Sequence, residues 1–380
     1  MNTSPPLVSV GIPTFNRAKK LAKCLESVLQ QTYHNIEIIV SDNMSSDATP
    51  DVCYEFEHRD RGVKIFRQSK NIGSIPNFNF VRDKSKGEYF MWLGDDDWID
   101  PDFIQSCVIF LENNLDYIAA GGRTIYYREN SLKFDGVTLS IKSKEPGVRM
   151  LDIMEQIVDA GTFYSLYRVK LAKEISFLNA WGADYYFLCE AAYYGKIETL
   201  VDVSCHRIDN SHLRSINETI LTEDNSMQAG QDQDPYGTIA SVLFWRIAVN
   251  SKTFSQLQDW DLLLVACRIV DVVSERWTIT GQVDLLQIAI NSLFEQDLLS
   301  EFKRLRTLIL IEWLKVSNGN DPGNWGQMSP VLDVFTKLGF SRNDTNPEER
   351  ILLSNLIKSS KSITVPVFKN EVEKVMELFS

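Results

Sequence analysis

Three aspartates in a row, Asp95, Asp96 and Asp97, follow the apolar run Tyr89-Phe90-Met91-Trp92-Leu93 and a single glycine, Gly94. Adjacent carboxylates repel one another unless a cation lies beside them. Hard divalent cations such as Mg²⁺ and Mn²⁺ take oxygen ligands and complete their shells with substrate phosphates, so the run is a candidate metal site. The competing reading is a solvated acidic turn ahead of a helix opening at Pro101. Asp42-Asn43 follows Ile38-Ile39-Val40-Ser41 and puts a carboxylate where a nucleobase ring N–H can donate to it. The same residues also suit an Asx turn. Asn71-Ile72-Gly73 reads as a turn in which Gly73 supplies a positive φ. Asp184, after Trp181-Gly182-Ala183, is either the N-cap of a helix over 185–194 or a general base.

Most of these residues sit where elements end. Leu7–Ile12, Ile36–Val40, Val63–Phe66 and Tyr89–Leu93 have the short, apolar, β-branched or aromatic character of buried strands. Between and after them, Arg17–Gln31, Thr49–His58, Ile75–Lys84 and Pro101–Asn113 carry helical patterns, the last with Pro just inside its start. This alternation predicts an α/β fold with a mostly parallel sheet and helices on both faces. Ligands bind such sheets beyond the carboxyl ends of the strands. Pro13-Thr14-Phe15-Asn16, Ser41-Asp42-Asn43 and Gly94-Asp95-Asp96-Asp97 occupy three of those ends.

The chain has 380 residues, enough for two cores. Residues 1–215 are expected to form the α/β domain. Residues 216–236 are polar and read as a linker or mobile loop. Residues 237–380 read as an all-α domain, with helices over 239–249, 261–278, 283–294, 298–316, 331–338, 348–357 and 369–379. Trp245, Trp260, Trp277 and Trp313 read there as packing residues. The net charge of −12 argues against broad nucleic-acid binding and gives no general attraction to an anionic membrane. No run of about 18 apolar residues occurs, and no signal-peptide pattern opens the chain, so a cytoplasmic protein without a membrane span is expected. Cys24, Cys53, Cys107, Cys189, Cys205 and Cys267 lack CxxC spacing and read as reduced core thiols.

The ordered set Val8–Arg17, Val40–Asp47, Asn71-Ile72-Gly73, Gly87-Glu88-Tyr89 and Leu93–Asp97 resembles the family 2 glycosyltransferases. Its Gly-Glu-Tyr and Leu-Gly-Asp-Asp-Asp segments look like the bacterial O-antigen branch that includes abequosyltransferases. The resemblance covers roughly the first 215 residues. It implies a GT-A fold, a nucleotide-diphosphate sugar donor, Mn²⁺ or Mg²⁺, and inversion at the anomeric carbon. It also implies a saccharide or lipid-linked saccharide acceptor in surface-polysaccharide synthesis. Carried over by position, Pro13, Thr14 and Phe15, with the adjoining Asn16 and Arg17, would line the base and ribose pocket. Asp42, beside Asn43, would read the base, and Asn71, Gly73 and Asn79 would shape the donor pocket. Asp96 would be the principal metal ligand, with Gly94 standing where the family has its first Asp, so Asp95 or Asp97 must supply any second acidic contact. Asp184 would be the catalytic base, with Ala183 in place of the family's Glu.

Many relatives complete the metal site with a His in a Tyr-Arg-x-His segment. Here Asp209 holds that position and His212 lies three residues on. Arg207 and Arg214 are candidates for phosphate contact, but a plain surface charge is the commoner fate of such an Arg. Trp98 and Trp181 are candidate acceptor platforms. The helical domain is a candidate for acceptor binding, self-association or peripheral docking on lipid-linked substrate at the inner membrane face. Two other readings compete. A sugar-nucleotidyltransferase calls for a glycine-rich, basic N-terminal loop, which Val10–Thr14 lacks. A non-catalytic scaffold would not retain Asp42, Asp96 and Asp184.

Overall fold

The protein was analysed as a computed structural model that describes residues 4–128, 133–175, 177, 180–209, 235–244, 246–247, 251–254, 256–257 and 259–277. The first half alternates as expected: β1 (Val8–Thr14), α1 (Ala18–Leu29), β2 (Ile36–Asp42), α2 (Thr49–Arg59), β3 (Val63–Arg67), α3 (Ser74–Lys84) and β4 (Tyr89–Trp92). Then come β5 (Trp98–Ile99), α4 (Phe103–Asn113), β6 (Tyr117–Tyr127), β7 (Lys133–Asp135), β8 (Ser140–Ile141), α5 (Pro146–Gln156), β9 (Leu166–Arg168) and α6 (Val169–Glu174). The described elements end with α7 (Ala183–Tyr194), β10 (Lys196–Ile208), α8 (Pro235–Phe244) and α9 (Asp259–Arg276).

One sheet runs in the order β3-β2-β1-β4-β9-β6-β10-β5, with β7 beside β6 and β8 beside β10. The strands β3, β2, β1 and β4 are parallel, and β9 enters antiparallel between β4 and β6. Every residue of β1 is buried, as a central parallel strand covered on both faces requires. From α1 the stripe Leu21, Cys24, Leu25 and Val28 packs into the same core. Beneath the other face, Trp92 stacks on Phe163 and meets Phe90 and Phe187 edge-on. Five cysteines, Cys24, Cys53, Cys107, Cys189 and Cys205, are buried free thiols, as their apolar neighbours in sequence suggest.

Two boundaries differ from the sequence reading. The helix expected from Pro101 starts at Phe103. Asp100 is tied to β10 by paired backbone and side-chain bonds with Ser204, and the Pro101 carbonyl accepts the Thr32 N–H, which holds the turn open. The second difference concerns α9 and all of α8 but Phe244, which fall in the first of two compact units, 1–243 with 251–283, the other being 244–250 with 284–380. The polar stretch before residue 237 suggests a domain boundary there. Contacts nevertheless join the next two helices to the sheet unit: Val265 of α9 lies over Gly147 of α5, and Ile239 of α8 over Gly182 at the start of α7. The expected linker up to residue 234 and the helices expected beyond 277 lie outside the described residues. Among the described residues no helix is long and apolar enough to cross a membrane.

Candidate functional site

From β1 the chain moves outward to β2 and β3, then returns to pair β4 on the other side of β1. The order therefore reverses between β1 and β4, and their carboxyl ends form the switch-point crevice. There Thr14 Oγ1 donates to Asp95 Oδ2 at 2.7 Å. Arg17, entering α1, pairs with Asp96 and lies 3.6 Å from Asp95, while Lys20 reaches Asp96 at 3.3 Å. Asp97 turns away from them to the Nε of Arg207, 3.1 Å distant. The side chains of Asp95, Asp96 and Asp97 are 10%, 15% and 3% exposed, so Asp96 is the most open and Asp97 the most enclosed. Burial pushes the Asp95 carboxyl up to about 6 in spite of Arg17 and Thr14, and raises that of Asp97 in spite of Arg207.

A carboxylate held above its ordinary range by burial gains from added positive charge. Asp95 fits that description, and Asp96 beside it, held by Arg17 and Lys20, is the most open of the three, so the two offer oxygen donors of the kind a hard divalent cation takes. Asp97 is already matched by Arg207, and Asp209 by an ion pair with Arg128. Among the described residues no three His, Cys, Asp or Glu side chains gather as a ready-made metal cage. His212 lies outside the described residues.

Gly94 makes the turn possible. A Cβ there would stand 2.6 Å from Asp97 Oδ2, far inside contact distance. We expect Gly94→Ala to push Asp97 off Arg207 and destabilise the protein by roughly 1–3 kcal/mol, as overpacking does. Thermal unfolding checks this, and an unchanged melting temperature would show that the turn has room to spare.

A second cluster faces the ends of β1 and β2. Asn43 N–H donates to the Thr14 carbonyl, and the Asn43 side chain donates to Asn71 Oδ1 at 2.9 Å and to the Gly73 carbonyl at 3.2 Å. Gly73 has φ 91°, as the sequence anticipates. Asn16 and Met44 also hold left-handed φ values, 53° and 65°, in the loops that cross here. Asn16 Oδ1 accepts the Ser46 N–H at 2.8 Å. Such strain on non-glycine residues collects in binding loops. Phe15 and Met44 are large exposed apolar side chains beside this cluster, and Pro13 pairs with Ser41 inside the sheet. Asp42 is buried, accepting Ser45 N–H at 2.9 Å and pairing with Arg67 at 2.8 Å. The bond reaches three residues on, where an Asx turn reaches two, so Asp42 closes a wider turn than the sequence suggests. Asn79 donates to the Phe177 carbonyl at 2.9 Å, and its buried Oδ1 has no hydrogen-bond partner among the described residues.

Asp184 is not an N-cap. Gly182, with φ 80°, takes that place, and Asp184 lies in the first turn of α7. Its Oδ1 accepts the Tyr185 N–H at 3.0 Å. Burial raises its pKa, opposed by that N–H and by the charge of Arg207. Arg207 is no surface charge either. Besides Asp97 it contacts the Tyr126 hydroxyl at 3.4 Å and lies 4.2 Å from the centre of the Tyr164 ring. Tyr126 is fixed in turn by donating to Asp159 Oδ1 at 2.8 Å. One guanidinium thus pairs with Asp97, and its charge also favours the ionised form of Asp184. Sequence inspection missed Tyr164, Tyr126 and Asp159, because their only signal is tertiary proximity.

Trp98 stacks on His206 at 5.2 Å and 6°, with Lys23 Nζ 2.9 Å from the ring centre. Its neighbour His206 is gripped by Asp100 at 2.7 Å and Tyr127 at 3.0 Å. Trp181 offers its carbonyl to the Tyr186 hydroxyl at 2.5 Å.

Residues 9–176 match the family described as "Glycosyl transferase family 2". Among curated relatives, "Glycosyltransferase GlyA" of Streptococcus pneumoniae is 28% identical over 184 residues, 47% of this chain and 24% of the relative. The Campylobacter jejuni "GalNAc(5)-diNAcBac-PP-undecaprenol beta-1,3-glucosyltransferase" is 30% identical over 175 residues, 45% of this chain and 55% of that protein. The chain thus spans between a quarter and about half of these relatives' length. The crystal structure of residues 1–349 of S. aureus TarS in complex with UDP-GlcNAc superposes with a TM-score of 0.53. It covers 81% of this chain and 83% of that one at 17% identity, which establishes the common GT-A fold. Motif order and sheet topology agree with that family match, and residues 9–176, a little under half of the chain, are similar to the family 2 glycosyltransferases.

Proposed function

We propose that this protein transfers a sugar, with inversion, from a nucleotide-diphosphate donor to a hydroxyl of a saccharide or lipid-linked saccharide in bacterial surface-polysaccharide synthesis. The observation that carries this reading is the cluster at the carboxyl ends of β1 and β4, where Thr14 bonds Asp95 and Arg17 and Lys20 gather on Asp96. It supports a phosphate-binding end for the donor. In the reaction Asp184 takes the proton of the acceptor hydroxyl as its oxygen bonds to C1 of the donor sugar. The C1–O bond to the diphosphate breaks on the opposite face, and the nucleoside diphosphate leaves with that electron pair. Asp95 and Asp96 would hold Mn²⁺ or Mg²⁺, which when bound offsets charge on the leaving diphosphate. Arg17 and Lys20 stand beside the same carboxylates and would meet the phosphates. Phe15, Asn16, Asp42, Asn43, Asn71 and Gly73 would enclose the nucleoside, with Pro13 and Thr14 as its floor and Asn79 at the sugar end.

The lipid-linked substrate named for the Campylobacter relative supports the acceptor class. Surface-polysaccharide assembly also suits a cytoplasmic location with peripheral contact at the inner membrane face. In the test, unfolding is followed with UDP-, GDP-, CDP- and dTDP-sugars, with and without Mn²⁺. One nucleotide class should raise the melting temperature by several degrees at about 100-fold excess over its Kd, a gain of about 2.7 kcal/mol, and Mn²⁺ should enlarge the shift. Absence of any shift across the panel overturns the reading.

A further inference from the structure

Two of the protein's own cations stand on the acidic strand end. Arg17 NH1 pairs with Asp96 and lies 3.6 Å from Asp95 Oδ1, and Lys20 Nζ reaches Asp96 Oδ2 at 3.3 Å. The backbone beneath them is fixed. Arg17 N–H donates to Thr49 Oγ1 at 3.0 Å, and the Arg17 carbonyl accepts the N–H groups of Lys20 and Leu21 as α1 opens. The side chains are placed otherwise. Arg17 and Lys20 are 41% and 45% exposed, while Asp95 and Asp96 are 10% and 15% exposed. Two long, flexible cations thus lie on the water side of two enclosed carboxylates, and either can swing away while the helix stays where it is.

Formal charge limits what this cluster accepts. When ionised, Asp95 and Asp96 are balanced by Arg17 and Lys20, and Asp97 is balanced by Arg207, so the strand end is neutral as it stands. A divalent cation arriving alone would add two uncompensated positive charges beside Arg17 and Lys20. A sugar-linked diphosphate arriving alone would set its two negative charges beside the carboxylates. Arriving together, the two charges cancel. Asp95 and Asp96 are then able to offer their oxygens to the cation, and Arg17 and Lys20, released from Asp96, offer N–H donors to the diphosphate.

We propose that Arg17 and Lys20 are exchangeable counter-ions that make the metal and the diphosphate bind as one unit, each poorly without the other. This rests on the transferase reading and deepens it, because the donor is then taken as its metal complex. Coupling of this kind is reciprocal: Mn²⁺ tightens the nucleotide sugar by the same factor as the nucleotide sugar tightens Mn²⁺.

The test titrates the full chain with Mn²⁺ alone, and with Mn²⁺ beside UDP-, GDP-, CDP- or dTDP-glucose, following the free ion by electron paramagnetic resonance. In the wild type at least one of the four should tighten Mn²⁺ roughly tenfold or more, within the usual range of such couplings. Arg17→Met removes one counter-ion and keeps the backbone bonds. It should bind Mn²⁺ alone roughly tenfold more tightly than the wild type, with a smaller gain from the nucleotide sugar. Lys20→Met should shift both quantities in the same direction by less, because Lys20 pairs with Asp96 and Arg17 also approaches Asp95. A melting temperature for each variant shows that it folds, and the exposed Lys20 position carries the test if Arg17→Met does not. Equal Mn²⁺ binding in the wild type with and without every nucleotide sugar overturns the exchange, and so does unchanged affinity for Mn²⁺ alone in the folded variants. If nucleotide sugars raise the wild-type melting temperature equally with and without Mn²⁺, only the exchange falls. If none raises it at all, the transferase reading falls as well.

Discussion

Asp184→Asn is expected to bind the donor as the wild type does and to lose transfer by about 10²–10⁴-fold, the range typical of a removed general base. The amide keeps the shape and can still accept the Tyr185 N–H, but it cannot take a proton. Stability separates this role from a structural one. Burial raises the Asp184 pKa in the folded protein, so the native state holds that proton more tightly than the unfolded chain does. Between the ordinary carboxylate value and the raised one, stability contributed by this group falls as pH rises, and above both the cost of the buried charge is fully present. The neutral amide removes that cost. Asp184→Asn should therefore melt no lower than the wild type at neutral pH, and higher if nothing else changes. The pH profile follows the same logic: the base must be ionised, so kcat/KM should drop as pH falls through a value above the usual carboxylate range near 4. Retained turnover in Asp184→Asn would place the base elsewhere, and a lower melting point would mark Asp184 as structural.

Arg207 is expected to give the second large effect, on stability and activity together. Its Nε bonds Asp97, its NH1 meets Tyr126, and its plane rests on Tyr164. A lysine offers one point charge and cannot serve those three directions at once. In Arg207→Met the Asp97 carboxylate, only 3% exposed, loses its counter-charge. Removing one partner of a buried pair costs about 3–5 kcal/mol, which corresponds to roughly 6–20 °C in melting temperature for a domain of this size. Asp97→Asn in the Arg207→Met background should recover part of that loss, because the uncompensated charge is then gone. If the two substitutions instead add, Arg207 and Asp97 are not coupled, and Arg207 is not the counter-charge of the acidic run. Transfer should fall in Arg207→Lys even where the fold survives.

The strands and helices of the first 113 residues were legible because they obey local rules. Buried β-branched runs, apolar stripes and polar strand ends need no distant partner to be recognised, and their bounds in the structure differ from the reading by a residue or two. Pro101 is the exception, held out of α4 by bonds to β10 and to Thr32. The pairing of Asp97 with Arg207 could not be read, since 110 residues separate the two. A lone Arg in sequence most often ends at the surface, and only the register of β10 beside β6 turns this one inward. The packing of Trp277 against Tyr185 and Tyr236 was equally hidden in its partners: the sequence marks Trp277 as a packing residue, and only the fold shows what it packs on.

The sequence by itself determined the fold class, the likeness of residues 9–176 to a glycosyltransferase family, and which residues close the strands, because backbone periodicity and short motifs are local properties of the chain. Which carboxylate faces which cation was decided only by the tertiary structure. The three adjacent aspartates share one local context, yet the fold gives Asp95 a hydroxyl, Asp96 two surface cations, and Asp97 a buried guanidinium. Electrostatic partners are chosen by distance in space and by loss of water, and neither quantity is written along the chain.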